Sequence, residues 1–272
     1  MNKKFISCFF IIGVMCGLQG MDLASQVDED DNLNLSNNDL GIMTVEQLEA
    51  LGLSNLTQLK HLNLRDNNLG RMTVEQLKAL DLSNLAQLIH LDLSCNNLGI
   101  MTKEQLKALA LSNLTQLRYL DLSWNNLGIM TVEQLKALGL SNLTQLRSIN
   151  LAGNNLGKMT KEQLEALGLS NLLKLEALDL SWNNLYIMTE KQLEALDLIL
   201  SNLAQLNSLN LNHNYLGRMT EKQFKALGLR KLTKLCFLKI NSNYLLNISN
   251  NNLDESQKEK LTSCLPNCEI RF

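Results

Sequence analysis

Trp124 and Trp182 are the only tryptophans of the 272-residue chain, and they stand 58 positions apart. That separation is twice 29, and His61 and His90 are themselves 29 apart. Indole and imidazole rings on one spacing point to a surface where aromatic groups line up, and such rings dominate interface energetics. Tyr119, Asp92, Asp121, Asp179 and His213 fall near them in the same frame. Two indoles beside carboxylates suit a basic or amphipathic peptide; they could equally stack on a sugar ring, or fold over neighbouring turns as packing. His61 and His90 could share a metal, but no third ligand of clear type follows, and such sites need three or four protein ligands. No nucleophile–base pair, phosphate loop or zinc motif is visible. The chemistry read here is therefore recognition, with no catalytic residue, metal or cofactor expected.

These residues are positioned by a repeat. The form L-x-L-x-x-N-x-L begins at Leu33 and returns at Leu62, Leu91, Leu120, Ile149, Leu178, Leu209 and Leu238. The step is 29 residues except at the sixth copy, which is two residues longer, with Leu198-Ile199-Leu200 as the insertion. The L-x-L piece alternates with period two, which predicts a strand with one buried face. A segment such as Thr44-Val45-Glu46-Gln47-Leu48-Glu49-Ala50-Leu51 follows. Its Thr and Gln, three apart, form a capping box that satisfies backbone N–H groups at a helix start. Leu48 and Leu51 share one helical face. A single unit cannot bury its apolar face, whereas stacked neighbours can. The prediction is an elongated α/β solenoid, with a parallel sheet on the concave side and short helices on the convex side.

One polar column runs through the leucines: Asn38, Asn67, Asn96, Asn125, Asn154, Asn183, Asn214 and Asn243. A buried amide without partners costs about 1–3 kcal/mol, so these side chains are expected to bond backbone groups of adjacent turns. A residue present in every turn is structural rather than catalytic. Strand alternation then places His61, His90, Tyr119, Asp92, Asp121 and Asp179 on the open strand face. Cys95, Trp124, Gly153, Trp182 and His213 stand at its rim. Trp124 and Trp182, flanking Gly153, are expected to sit roughly 10 Å apart with a gap between them, two strand spacings. Across the copies the Thr and Gln of the helix starts do not vary, while the strand-face and rim columns do. That contrast favours binding on the variable face, because rigid scaffolds commonly carry function on faces and loops.

The pattern resembles the leucine-rich-repeat family. Asn67-Asn68-Leu69-Gly70 followed by a helix resembles its ribonuclease-inhibitor-like class, and Leu53-Ser54-Asn55-Leu56-Thr57-Gln58-Leu59 is more typical of bacterial repeats. The resemblance implies a horseshoe that binds proteins, peptides or sometimes glycans on its concave face; it names no ligand.

The ends suggest an exported protein. Lys3 and Lys4 precede an apolar run over residues 5–18. Fourteen residues are too few to span a bilayer, which needs about 20, so residues 1–20 read as a cleavable signal peptide. Cys16 would serve a lipoprotein signal, although Met15 before it is larger than such signals prefer. The expected location is secreted or at the cell envelope, with a surface adhesin or structural envelope protein as the alternative. Residues 21–31 form a short acidic N-terminal cap, residues 32–245 the repeats, and residues 246–272 a C-terminal cap. Net charge is −2, or −4 without the two leader lysines, and gives no support for a nucleic-acid partner. Export permits disulfides. Cys95, Cys236, Cys264 and Cys268 allow three pairings among which sequence does not choose; a cap disulfide and small buried thiols are both open.

Overall fold

The computed structural model describes residues 23–229, 232, 234–240, 253–265 and 268–271. The leader with Cys8 and Cys16, the eighth column residue Asn243, and the rim residue Ser242 lie outside the described residues, as does the side chain of Cys264.

Nine three-residue strands build one sheet among the described residues. They are β1 (Asn32–Asn34), β2 (His61–Asn63), β3 (His90–Asp92), β4 (Tyr119–Asp121), β5 (Ser148–Asn150), β6 (Ala177–Asp179), β7 (Ser208–Asn210), β8 (Phe237–Lys239) and β9 (Glu269–Arg271). Their order in space is their order in the chain, and every neighbouring pair is parallel. The register follows the repeat, so Leu33, Leu62, Leu91 and Leu120 face one another across successive strands. Only the middle residue of each of β1 to β8 is buried; its two neighbours look outward. The leucines of all turns merge with the buried column Met43, Met72, Met101, Met130, Met159, Met188 and Met219 into one continuous core. Strands stack about 4.8 Å apart whereas packed helices need 8–10 Å, so the sheet lines the concave wall and the helices the convex one.

Seven short helices begin at Val45, Val74, Lys103, Val132, Lys161, Glu190 and Glu221, each behind a Thr that completes a capping box with its Gln. The Gln does a second job that its spacing does not reveal. Its Nε2 donates to the Met carbonyl of the preceding turn, as Gln76 to Met43 O at 2.5 Å and Gln134 to Met101 O at 2.6 Å. Constancy of this residue is therefore enforced by contacts between turns as well as by helix capping. The contrast with the varied strand face is correspondingly weaker as an argument for function.

The Asn column is a continuous ladder. Asn125 Oδ1 accepts from the N–H of Asn96 at 3.0 Å and of Leu98 at 3.2 Å. Its Nδ2 donates to Leu93 O of the preceding turn and to Leu122 O and Ser123 O of its own. Asn67, Asn96, Asn154, Asn183 and Asn214 are equally buried and make the same donations. Asn38, at the open end, is half-buried and donates to Ser36 O.

The sixth turn is wider. Its helix runs over Glu190–Asn202, thirteen residues against six or seven elsewhere in the repeats, and absorbs the insertion. Here Tyr186 stands where six other turns carry Gly. Gly41, Gly70, Gly99, Gly128 and Gly157 have no room for a Cβ, because the Asn carbonyl of the next turn occupies the space. With Tyr186 in place the backbone bond to the next turn lengthens to 3.3 Å, from 2.8–2.9 Å at the glycines. Beyond β8, the helix Glu255–Cys264, capped by Asp254, leads into β9, which closes the sheet. Among the described residues no helix is long and apolar enough to cross a membrane.

Candidate ligand-binding site

Two rows of aromatic rings cross the concave wall. The first comes from residues that open β2, β3 and β4. Register sets His61, His90 and Tyr119 in line. The His61 and His90 rings lie 4.4 Å apart, and Tyr119 stacks on His90 at 4.0 Å with 17° between planes. With Asn34, Asn63, Asp92 and Asp121 they line an open groove of about 490 Å³. Tyr119 is 41% exposed. Burial, with His61 beside it, holds the His90 imidazole below its ordinary pKa. His61 Nδ1 is buried without a hydrogen-bond partner. Among the described residues no three His, Cys, Asp or Glu side chains gather as a metal site would require.

The second row runs along the rim. The rings of Trp124 and Trp182 approach to 6.1 Å, tilted by 47°, and Trp182 stacks on His213 at 3.9 Å with 14° between planes. The expected gap of roughly 10 Å is absent. Gly153 leaves the space between them open, and the Trp124 ring fills it: a Cβ on Gly153 would meet Cδ2, Cε3 and Cε2 of that indole at 2.5–2.8 Å. His213, expected at the surface, is buried instead, and that burial lowers its pKa. Trp124 and Trp182 remain 52% and 37% exposed.

The rim backbone is left-handed at every described turn. Asn37, Asp66, Cys95, Trp124, Trp182 and His213 have φ between 54° and 59°, and Gly153 has 68°. Asn, Asp and Gly tolerate this conformation; a bulky side chain there is a genuine outlier. Two tryptophans therefore occupy positions that disfavour them, and half of the larger exposed ring surface is not repaid by burial.

Between the two rows stand the carboxylates. Asp121 Oδ1 accepts from the Ser123 N–H and hydroxyl at 2.8 and 2.6 Å, and its Oδ2 accepts from Asn150 Nδ2 at 2.8 Å. Asp179 repeats this with Ser181 and Asn210, and Asp92 accepts from the Ser94 N–H. These groups hold the strand ends in shape while keeping their negative charge on the wall. From β3 to β7 the strand-face and rim columns contain no Lys or Arg.

A leucine-rich-repeat sequence profile, "Leucine Rich Repeat", matches residues 116–142. The chain superposes on the leucine-rich repeat-containing protein LegL7 from Legionella pneumophila with a TM-score of 0.61, at 23% identity, over 88% of this chain and 82% of that one. The fold is that of a leucine-rich-repeat solenoid. A second solved structure, a TLR13–ssRNA13 complex, gives a TM-score of 0.49 at 22% identity, covering 88% of this chain and 28% of that one. No curated protein sequence matches it.

Within this leucine-rich-repeat scaffold, sequence reasoning found both aromatic sets and the carboxylates but missed that each set stacks into a row. The signal was present in the rim column itself. Asn37, Asp66 and Gly153 are residues of a left-handed turn, and a left-handed turn redirects a side chain away from the line of its strand. Cys95 lies in the same column as a free thiol whose pKa burial raises. Leucine-rich repeats are generally interaction scaffolds rather than enzymes.

Proposed function

We propose that this protein is a non-enzymatic binding protein whose concave wall and rim receive a protein or peptide ligand of basic character. The observation that carries this reading is the backbone of Trp124 and Trp182. Each occupies a left-handed position, which costs a bulky residue about 1–2 kcal/mol, and each still exposes a third to a half of its surface. Strain kept without full burial in return is characteristic of functional positions. The charge of the wall selects the ligand. Asp92, Asp121 and Asp179 lie between the rows with no cation on strands β3 to β7, and the two depressed histidines add no positive charge near neutral pH. Lysine or arginine side chains facing this wall gain from electrostatic complementarity, and an apolar residue between them covers the indoles.

Selection from a random displayed-peptide library on the immobilised full chain tests this. Enriched peptides should be rich in Lys and Arg with an apolar or aromatic residue, and the Trp124→Asn/Trp182→Asn double variant should lose at least tenfold in affinity. No enrichment, or equal binding to the variant, would contradict it. Exposed indoles side by side also favour a sugar-binding reading; saturable binding of a neutral oligosaccharide together with failed peptide selection would replace the first reading with that one. The leader-like residues 1–20 support action outside the cytoplasm, as a secreted or envelope-held protein. Recovery of the full-length, uncleaved chain from the cytosol of its own cell would contradict that.

A further inference from the structure

One position precedes each strand and points along the outer edge of the sheet. Two pairs of consecutive members of this column meet through their side chains. Asp31 and Lys60, which precede β1 and β2, form an ion pair at 2.7 Å. Arg147 and Glu176, which precede β5 and β6, form another at 2.7 Å. At the closing end of the sheet the paired residues of β8 and β9 are Phe237 and Glu269, so the same column brings Cys236 beside Cys268. Glu269 N–H donates to Cys236 O at 2.8 Å, fixing this register. Both thiols are free.

We propose that Cys236 and Cys268 form a disulfide that staples the closing strand β9 to the last repeat strand β8. Neighbouring strands lie about 4.8 Å apart, within the Cα separation of 4.4–6.8 Å that disulfides span. In the repeats the residue of this column donates its N–H to the preceding strand, as Lys60 does to Asp31 O and Glu176 to Arg147 O; Cys268 donates instead to Leu265 O of its own turn. Cys95 cannot compete, because it lies on the rim of the third strand, five strands away.

The oxidant is a disulfide, either of glutathione or of a thiol–disulfide oxidoreductase. The exposed Cys236 thiol loses its proton and its thiolate attacks one oxidant sulfur, expelling the other as a thiolate. The Cys268 thiolate then attacks Cys236 Sγ and releases the second oxidant sulfur. One S–S bond is broken and one formed. The oxidant gains the two electrons that the cysteines lose, and its two thiolates take up the two protons. The product ties down the helix Glu255–Cys264 between the two strands and keeps the end of the core covered.

Equilibration of the full chain in glutathione/glutathione-disulfide buffers, followed by acid quench, alkylation and peptide mapping, tests the proposal independently of any ligand. The expected product links Cys236 to Cys268, survives in Cys264→Ser, and vanishes in Cys268→Ser. Exchange of the Glu269 amide should slow at least tenfold on oxidation. Alkylation of both thiols at every buffer ratio, or a link from either to Cys264, would overturn it.

Discussion

The indole of Trp124 lies across the α-carbon of Gly153, so closely that an added methyl group would stand 2.5 Å from Cδ2 of the ring. Gly153 also carries a φ of +68°. Gly153→Ala therefore meets a displaced ring and a disfavoured backbone together. A loss of about 2 kcal/mol is expected, seen as a fall of about 4–8 °C in Tm. Tryptophan emission should shift to the red as Trp124 is pushed into solvent.

Trp124→Asn should behave in the opposite way. Asparagine occupies the same left-handed position at Asn37, so the substitution relieves strain while giving up a half-exposed ring. Chemical denaturation should show stability unchanged or raised by about 1 kcal/mol, with ligand affinity reduced. A fall of more than about 1 kcal/mol would assign the ring to packing.

The ladder and the capping boxes differ in what they leave behind when cut. Asn125→Ala strands the N–H groups of Asn96 and Leu98 in the dry interior and removes one of the two donors that reach each of Leu93 O, Leu122 O and Ser123 O. A loss of about 3 kcal/mol is expected from such orphaned groups. Gln134→Ala removes a cap bond to Thr131 and the bond to Met101 O at a partly exposed helix start, and should cost about 1–2 kcal/mol. Equal costs in urea titrations would contradict this ordering.

His90 and His213 are both held below their ordinary pKa of 6.5 by burial. As pH falls through that value the unfolded chain takes up protons first, so stability is full above it and is lost progressively below. Denaturation midpoints measured between pH 7.5 and pH 5 should decline on the acid side, and His90→Gln should make the decline shallower. An unchanged slope in the variant would remove His90 from this account.

Most of the fold was legible because the period is strict. Leu62, Met72, Leu77 and Asn67 recur at fixed offsets, and each offset corresponds to one buried column. The second bond of Gln76 was not legible, because it depends on how far one helix is offset from the Met carbonyl of the turn before. The collapse of the Trp124–Trp182 gap was missed for a related reason. Strand spacing fixes where α-carbons stand, whereas a left-handed residue such as Trp124 sends its ring sideways over the next turn. The burial of His213 follows from the stacking of Trp182 upon it, a contact that composition does not encode.

Because the chain has only two tryptophans and both stand on the rim, its tryptophan emission, excited at wavelengths that tyrosine does not absorb, reports the proposed site. Titration of the wild-type protein with a library-selected basic peptide should give a saturable blue shift, with affinity falling as salt rises and screens the wall carboxylates. A peptide that binds with no change in emission, or with affinity independent of salt, would contradict recognition by the aromatic rim and acidic wall.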